Sequence, residues 1–394
     1  MNGFVSPNDM VGNSDSARIS AAIQTAKASG VNKVVIPRYN KRTDSQIWVI
    51  EETITLPSDI EIVFDHAHLI LAEGKYLNMF TAGEPKEGGA LAKNATKNIT
   101  LRGVGNATLD GGVYNGLSER NYKSLGIDIY RNTTMLFFNV DGLTVENLAV
   151  VNQRWWGITN VFVRNATYRN IRFKADYSRF VDGVHYPDQI PQNYEEIYVK
   201  NADGIDLRIG CHNFTIENVT GFVEDDGVAL TALGTGEIER GMFVRDMDTA
   251  IHDVTIKNVS IESRCSNVRL LNDNGHKLYN VTVDGVTSLL SGRFQNGSTI
   301  RIGDMSYANK HSTLGDTHDI HIKNVNVHSY SGISIVKGLV NATIENVTLQ
   351  AGAKVGVRAF PDSCATLKNC HIDRITFVDE DATAIDDTNM NFID

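Results

Sequence analysis

The chain has 394 residues and a formal net charge of −10 at pH 7, and no basic patch stands out that could neutralise phosphates, so we expect no nucleic-acid partner. Its four cysteines, Cys211, Cys265, Cys364 and Cys370, are too few and too scattered for a disulfide framework. The first thirty residues carry no secretory signal and no stretch is long enough to span a membrane, so we expect a cytoplasmic protein with no membrane partner, although a mature extracellular form would look the same.

The N-terminal segment differs in pattern from the rest of the chain. Residues 13–16 (NSDS) are typical of a helix N-cap, and Gly30 is typical of a helix end. Between them, one face of the predicted helix is apolar, with Ile19, Ala22, Ile23 and Ala26. Residues 33–37 (KVVIP) then predict a strand. We interpret residues 1–40 as a cap on the structure that follows.

A short phrase of alternating apolar and polar residues recurs along the rest of the chain. It occurs at 98–101 (NITL), 142–148 (GLTVENL), 166–171 (ATYRNI), 213–219 (NFTIENV), 253–259 (DVTIKNV), 280–286 (NVTVDGV), 319–325 (DIHIKNV) and 341–347 (NATIENV). Each phrase predicts a strand with one buried face, and its Asn or Gly suits a bend with a left-handed backbone. The longer gaps between phrases fit either two coils or one coil with an insertion.

These repeats predict an all-β fold, the single-stranded right-handed parallel β-helix, with the N-terminal helix as its cap. A single coil cannot bury its own apolar face, so the core forms only when coils stack. No linker-like break interrupts the repeats, so we expect one domain: a cap over residues 1–40, coils over residues 41–378 and a polar C-terminal tail over residues 379–394.

Two acidic signatures begin 23 residues apart, at 201–206 (NADGID) and 224–227 (EDDG). That interval matches one coil, which predicts that Asp203 is a stacked neighbour of Asp225 and Asp226. Parallel strands lie about 4.8 Å apart, so these carboxylates should repel one another and raise at least one pKa, as a general acid requires. A lone Asp-Gly is usually a solvated turn, but paired carboxylates are typical of enzymes that cleave glycosidic bonds.

Segments that precede the signatures, with the signatures themselves, resemble glycoside hydrolase family 28, the polygalacturonase-like enzymes. The preceding segments are 139–148 (NVDGLTVENL), 152–158 (NQRWWGI) and 165–171 (NATYRNI). The resemblance is specific over about residues 137–232, and it assigns Asn201 and Asp203 to the family's first catalytic motif, NxDG. Asp225 and Asp226 match the second motif, GDD, with Glu224 in place of the glycine.

The resemblance implies an inverting hydrolysis by these three aspartates. In it, Asp225 protonates the leaving oxygen, while Asp203 and Asp226 orient and deprotonate a water molecule. This stereochemistry rests on the resemblance alone, since carboxylates one strand apart lie closer to the geometry of retaining enzymes.

The later motifs of the family are incomplete in this chain. Residues 264–270 (RCSNVRL) stand where the family has GHG, and they contain no histidine. Residues 301–303 (RIG) keep the arginine of the family's RIK but not the lysine. In the family these basic residues help to hold a uronate carboxylate, so the resemblance implies substrate binding by Arg301 and argues against plain polygalacturonate.

Two other regions offer candidate substrate contacts. Trp155 and Trp156 are consecutive, so strand alternation predicts that one faces the core and the other faces solvent, where it could stack on a sugar ring. Residues 174–197 form a long insertion that could wall a groove, and its His185 or Arg179 could replace the missing basic contacts. Arg269 is a further candidate.

Three functions remain compatible with these features. The leading interpretation is a hydrolase of a plant- or microbe-derived oligosaccharide or polysaccharide, pectin-like or other, that needs no cofactor and no metal. The second is a calcium-dependent polysaccharide lyase in which Glu224, Asp225 and Asp226 bind calcium and an arginine such as Arg208 abstracts a proton. The third is a non-catalytic, tailspike-like carbohydrate-binding solenoid. Homo-oligomerisation stays open, because fold analogy decides it poorly.

Overall fold

A computed structural model of the chain describes residues 3–83, 86–112, 126–290, 297–304 and 312–394. Over these residues the chain winds as a right-handed parallel β-helix, whose coils build one sheet of 16 strands and a second of 11 strands. Two short antiparallel hairpins lie outside these sheets. The predicted fold class is confirmed.

The strands, in chain order, have the following bounds: β1 (Lys33–Pro37), β2 (Ile47–Ile50), β3 (Ile54–Leu56), β4 (Ile60–Asp65), β5 (His68–Leu71), β6 (Phe80–Ala82), β7 (Lys86–Glu87), β8 (Ala90–Leu91), β9 (Thr96–Val104), β10 (Thr108–Asp110), β11 (Met135–Phe138), β12 (Val140–Val151), β13 (Trp156–Val161), β14 (Arg164–Lys174), β15 (Arg179–Val181), β16 (Val184–Tyr186), β17 (Asp203–Leu207), β18 (His212–Val223), β19 (Val228–Ala232), β20 (Ile251–Ser263), β21 (Val268–Asn272), β22 (Leu278–Ser288), β23 (Ser298–Ile302), β24 (Thr317–Val327), β25 (Ser331–Ile335), β26 (Lys337–Leu349), β27 (Val355–Ala359), β28 (Ala365–Lys368), β29 (His371–Phe377), β30 (Thr383–Asp386) and β31 (Met390–Ile393).

The helices are few and short. The two α-helices are α1 (Asp15–Ala28) and α2 (Gly234–Glu239), and 3₁₀ turns cover Pro7–Asp9, Ile129–Arg131 and Tyr194–Glu196. Among the described residues, no helix is long and apolar enough to cross a membrane.

The first sheet contains the repeated phrases, one per coil. Its strands run in the order β1-β4-β9-β12-β14-β18-β20-β22-β24-β26-β28-β31, and the phrases fall on β9, β12, β14, β18, β20, β22, β24 and β26. Since these strands are direct neighbours, each long gap in the sequence is one coil with an insertion. Apolar residues of successive phrases stack inward in register, for example Leu148, Ile171, Val219 and Val259.

The Asn of each phrase is a bend residue with a left-handed backbone, as the sequence predicts. Asn147, Asn170, Asn218 and Asn258 have φ of 58°, 56°, 58° and 53°. Their amides form a ladder up the solenoid, in which each Nδ2 donates to the Oδ1 of the asparagine one coil below at 2.8–3.1 Å. Stacking therefore selects asparagine twice, for its tolerance of positive φ and for its paired donor and acceptor.

The N-terminal end of the solenoid is covered by helix α1, and its C-terminal end is formed by strands β30 and β31. Ser14 caps α1 by accepting a hydrogen bond from the Ala17 amide, and the apolar face of α1 belongs to the same hydrophobic cluster as the coils. The prediction of a polar tail over residues 379–394 is wrong. In that segment β30 pairs in parallel with β27 and β31 pairs in parallel with β28, so the last coil continues both sheets.

The second sheet is built from short strands in the order β3-β6-β11-β13-β17-β19-β21-β23-β25-β27-β30. Two insertions stand beside it. Residues 175–200, between β14 and β17, contain the hairpin of β15 and β16, and residues 233–250, between β19 and β20, contain α2. The second insertion folds back along the solenoid, where the Phe243 carbonyl accepts a hydrogen bond from the Leu91 amide at 2.8 Å. The insertions place two walls beside one outward face.

The asparagine ladder generates a prediction for Asn218, which both donates to Asn170 and accepts from Asn258. We expect Asn218→Ala to lower the free energy of unfolding by about 2 kcal/mol, because alanine loses the hydrogen bonds and is strained at positive φ. Asn218→Gly should cost less, since glycine adopts this backbone freely. Urea unfolding of both variants, with the exposed Lys257→Ala as control, measures the difference. Equal loss in the alanine and glycine variants would contradict the backbone contribution.

Candidate active site

The two acidic signatures meet on the outward face of the second sheet. The amides of Gly204 and Ile205 donate to the carbonyls of Asp226 and Gly227 at 2.9 and 3.0 Å, which puts Asp226 in register with Asp203 on the next coil. Asp225 precedes Asp226 in the turn before β19, where its amide faces the Ala202 carbonyl at 3.4 Å. The structure thus brings Asp203, Asp225 and Asp226 together, and we call these three residues with Asp206 and Glu224 the carboxylate cluster.

Asp206 is a member of the cluster to which the sequence interpretation gave no role, although it ends the first signature. It is fully buried beside Asp203, and neither of its carboxyl oxygens has a hydrogen-bond partner among the described residues. Oδ1 of Asp203 likewise has no described donor, so two buried carboxyl groups lie close together without a hydrogen bond that would stabilise their charged forms. Burial, and then neighbouring carboxylates, raise the pKa of Asp203 well above its ordinary value, and burial raises that of Asp206 likewise.

Glu224 stands where the GDD motif of glycoside hydrolase family 28 has glycine. It lies at the bottom of the cluster, paired with Arg264. Arg264 Nε donates to Glu224 Oε1 at 2.5 Å, and Arg264 Nη2 lies 3.6 Å from Asp225 Oδ2. Burial raises the pKa of Glu224 to about 7 although Arg264 opposes the shift. Burial and then the charge of Asp226 raise the pKa of Asp225, again against Arg264. The buried guanidinium of Arg264 therefore partly offsets the rise in the pKa of both acids.

Asp226 is held by two groups from the next coil. Ser266 Oγ donates to its Oδ1, and Arg269 Nη1 lies 3.4 Å from its Oδ2. Arg269 also binds Asp304, which in turn pairs with Arg301 Nη2 at 3.1 Å. Arg269 and Arg301 are register partners of β21 and β23, so Asp304 bridges two like charges on adjacent strands. Arg269 is thus part of the support of Asp226, while Arg301 lies over the Phe360 ring at 3.9 Å.

Arg208 lies behind Asp206, and the role of proton-abstracting base given to it in the lyase interpretation is wrong. It is buried, its Nη2 pairs with Glu237 Oε1 at 2.6 Å, and Tyr130 Oη contacts the other oxygen of Glu237. Burial alone would lower the pKa of Arg208, but the charge of Glu237 raises it above its ordinary value. A guanidinium so paired stays protonated and cannot abstract a proton.

The tryptophan pair departs from simple strand alternation, because Trp155 has φ of 57° and precedes β13. Trp155 is buried and Trp156 is half-buried, so neither lies open to solvent as predicted. Trp156 is the register partner of Asp203, and the Arg208 guanidinium lies 4.2 Å from its ring centroid. Trp156 is therefore the floor of the groove next to the cluster.

The candidates of the first insertion serve mainly to hold that insertion together. Arg179 Nε pairs with Glu196 at 2.7 Å, and His185 stacks on Tyr198 at 3.7 Å while its Nε2 bonds Ser178 Oγ at 2.6 Å. These partners do not support the expectation that His185 or Arg179 replaces the missing basic contacts. Asn201, with φ of 55°, is the bend before β17. The insertion reaches the cluster elsewhere, through Tyr194, whose ring lies 4.6 Å from Arg264.

Asp225, Asp226 and Cys265 have donor atoms within 4.8 Å of one another, a group that could hold a metal ion. The fit to calcium is poor, since calcium takes oxygen ligands and one donor here is sulfur. Arg264 and Arg269 also already supply positive charge to the two aspartates. The arrangement suits proton transfer better than cation binding.

Comparisons with solved structures identify the class of fold. The chain is similar to a polygalacturonase from Erwinia carotovora ssp. carotovora, with 14% identity and a TM-score of 0.59 over 99% of this chain and 96% of that one. It is similar to the A-module of a mannuronan C-5 epimerase from Azotobacter vinelandii, with 11% identity and a TM-score of 0.58 over 98% and 99%. A surface protein and adhesin of Streptococcus pneumoniae matches with 12% identity and a TM-score of 0.53 over 99% and 100%.

At these identities the likeness defines a parallel β-helix protein and goes no further. No protein-family model matches the chain, and no curated protein matches it in sequence. The parallel β-helix that the sequence predicts is thus the fold observed. These comparisons do not show that the chain belongs to glycoside hydrolase family 28.

The pairing of Arg264 with Glu224 and Asp225 generates a prediction about proton binding. Because the guanidinium lowers the pKa of both acids, Arg264→Gln should raise the pKa of Glu224 above about 7 and raise that of Asp225 as well. A carboxyl pKa that is raised on folding makes stability fall as pH rises from the ordinary glutamate value through the folded one, so the variant should lose more stability over that window. Carbon-13 NMR titration of the carboxyl groups, with the exposed Arg172→Gln as control, tests this. Titration curves identical to wild type would show that Arg264 does not lower the pKa of Glu224 and Asp225.

Proposed function

We propose that this protein is a glycoside hydrolase that cleaves an O-glycosidic bond of an oligosaccharide or polysaccharide by carboxylate acid/base catalysis. One observation carries the proposal. Asp203, Asp225 and Asp226 converge from adjacent coils on an outward face between two insertions, and burial raises the pKa of Asp203 and of Asp225. Protonated and ionised carboxyl groups side by side are what glycosidic cleavage requires.

Asp225 is the proposed proton donor to the leaving oxygen. Its side chain is 16% exposed, against 11% for Asp226, so it is the more accessible of the two consecutive acids. Its raised pKa keeps a proton available at a pH where an ordinary aspartate has lost it. The adjacent Arg264 then stabilises the carboxylate that remains after the transfer.

Asp226 is the proposed base that activates water. Ser266 and Arg269 hold its two oxygens in fixed positions, which orients the carboxylate. Asp203 lies in register one coil earlier, its pKa is raised by burial and by Asp206, and it supplies an oxygen to position the water. Asp206 acts through Asp203 and is therefore a positioning residue in this proposal.

The carboxylate spacing does not itself assign the stereochemistry. Asp225 and Asp226 have oxygens within 4.8 Å of each other, shorter than the roughly 6.5–9.5 Å typical of inverting enzymes. The inverting outcome rests on the sequence resemblance, and proton NMR of the first product anomer decides it.

The test of function is cleavage by wild type and by Asp225→Asn across a panel of uronate and neutral oligosaccharides, with and without a chelator. We expect new reducing ends from wild type, insensitive to chelator and without the ultraviolet absorbance of an unsaturated uronate. Asp225→Asn should lose about 10²–10⁴-fold in rate, the usual contribution of a general acid. The exposed Asp387→Asn serves as the matched control, and thermal unfolding verifies that each variant is folded.

The other outcomes identify the alternatives. Unsaturated products that disappear with chelator would establish a lyase. Binding without any cleavage, unchanged in Asp225→Asn, would establish a carbohydrate-binding solenoid.

A further inference from the structure

A cavity of about 440 Å³ opens on the N-terminal side of the carboxylate cluster. Its volume lies within the roughly 300–1,000 Å³ of ordinary ligand pockets. Hydroxyl and amide groups line it together with the rings of Tyr76 and Tyr130, and two cationic side chains, Lys86 and Arg131, contribute to its walls. We call it the distal cavity.

The distal cavity lies on the same outward face as the cluster. Thr81, Leu136, Thr159 and Asp206 are successive register partners on four adjacent strands, and the first two line the cavity. At about 4.8 Å per strand, Leu136 lies roughly 10 Å from Asp206 along the sheet. One extended ligand can therefore reach both places.

Tyr130 forms the connection between the distal cavity and the cluster. Its ring packs edge-on against Trp156 with centroids 5.7 Å apart, and its hydroxyl contacts Glu237, the partner of Arg208. Trp156 in turn neighbours Asp203. Tyr130 and Trp156 thus lie side by side between the cavity and the reacting carboxyl groups.

The charge of the distal cavity is opposite to that of the cluster. Lys86 donates to the Arg240 carbonyl at 2.8 Å, which holds its ammonium in place and leaves two donors for a ligand. Arg131 is exposed at the end of its 3₁₀ turn. Among the described lining residues the one acid is Asp128, which caps that turn by accepting a hydrogen bond from the Tyr130 amide at 2.8 Å. In a chain of net charge −10, this local excess of positive charge favours an anionic ligand.

We propose that the distal cavity is a second saccharide subsite that binds an anionic sugar unit through Lys86 and Arg131. The inference rests on the proposed function, since it assumes that the ligand is the oligosaccharide cleaved at the cluster. It names the substrate class: a chain with an acidic unit a short distance from the scissile bond. This recognition is separate from the Arg269 and Arg301 pair, which Asp226 and Asp304 already engage.

The test measures binding in the Asp225→Asn background, where cleavage does not consume the probe. The probes are pectate and alginate hexamers, a sulfated carrageenan hexamer, and neutral xylohexaose, titrated by calorimetry. We expect at least one anionic hexamer to bind more tightly than xylohexaose, with affinity that falls as salt rises. The carboxylated and sulfated arms distinguish the two sources of negative charge.

Arg131→Ala and Lys86→Gln should each weaken binding of the anionic hexamer about tenfold or more, the effect of losing a charge-assisted hydrogen bond. Arg172→Ala, an exposed arginine elsewhere on the solenoid, should bind like the parent. Failure of all anionic probes to bind, equal binding of xylohexaose, or unchanged affinity in both cavity variants would each overturn the proposal. Thermal unfolding verifies that each variant is folded. If one of the two variants misfolds, the other still tests the proposal.

The proposed function is measured separately, as cleavage by wild type with an intact cluster. Anionic hexamers that bind through Lys86 and Arg131 without being cleaved would uphold an anionic saccharide site in the distal cavity and count against hydrolysis of these chains at the cluster. Cleavage that is indifferent to both cavity variants would uphold hydrolysis and refute the subsite.

Discussion

The structure depends on the stacking of equivalent residues at the spacing of parallel strands, about 4.8 Å. Apolar side chains placed at that spacing make the core, and asparagines placed there make hydrogen-bonded ladders. Carboxylates placed there repel. The fold thus brings Asp203 and Asp226 together through the same kind of backbone hydrogen bond that joins the other coils.

Charge compensation around the cluster follows from this crowding. Arginines approach from three sides: Arg264 beneath Glu224, Arg269 beside Asp226 and Arg208 behind Asp206. Each has a second carboxylate or an aromatic ring that fixes it. Compensation is incomplete at Asp203 and Asp225, and there burial and like charge raise the pKa. A buried acid that retains its proton can act as a general acid. The crowding of buried carboxyl groups that raises the pKa is therefore also the basis of the proposed activity.

The solenoid alone would present this cluster on an open, flat face. The insertions at residues 175–200 and 233–250 turn that face into a groove, and the second of them also completes the distal cavity through Met242. Insertions are free to vary because the coils below them supply the stability. This explains how one fold serves a polygalacturonase, an epimerase and an adhesin, and why fold likeness alone assigns no chemistry.

The sequence by itself determined the repeat, the fold, the capping helix and the adjacency of the two acidic signatures, because all of these follow from local alternation and a fixed interval. It did not determine the last coil, whose strands at residues 383–386 and 390–393 lack the full phrase. Only the tertiary structure decided the partners of Arg179, His185, Trp156 and Arg208 and the parts played by Asp206 and Glu224. Those depend on how side chains from different coils and insertions meet, and contacts between residues distant in sequence leave no periodic signal in the chain.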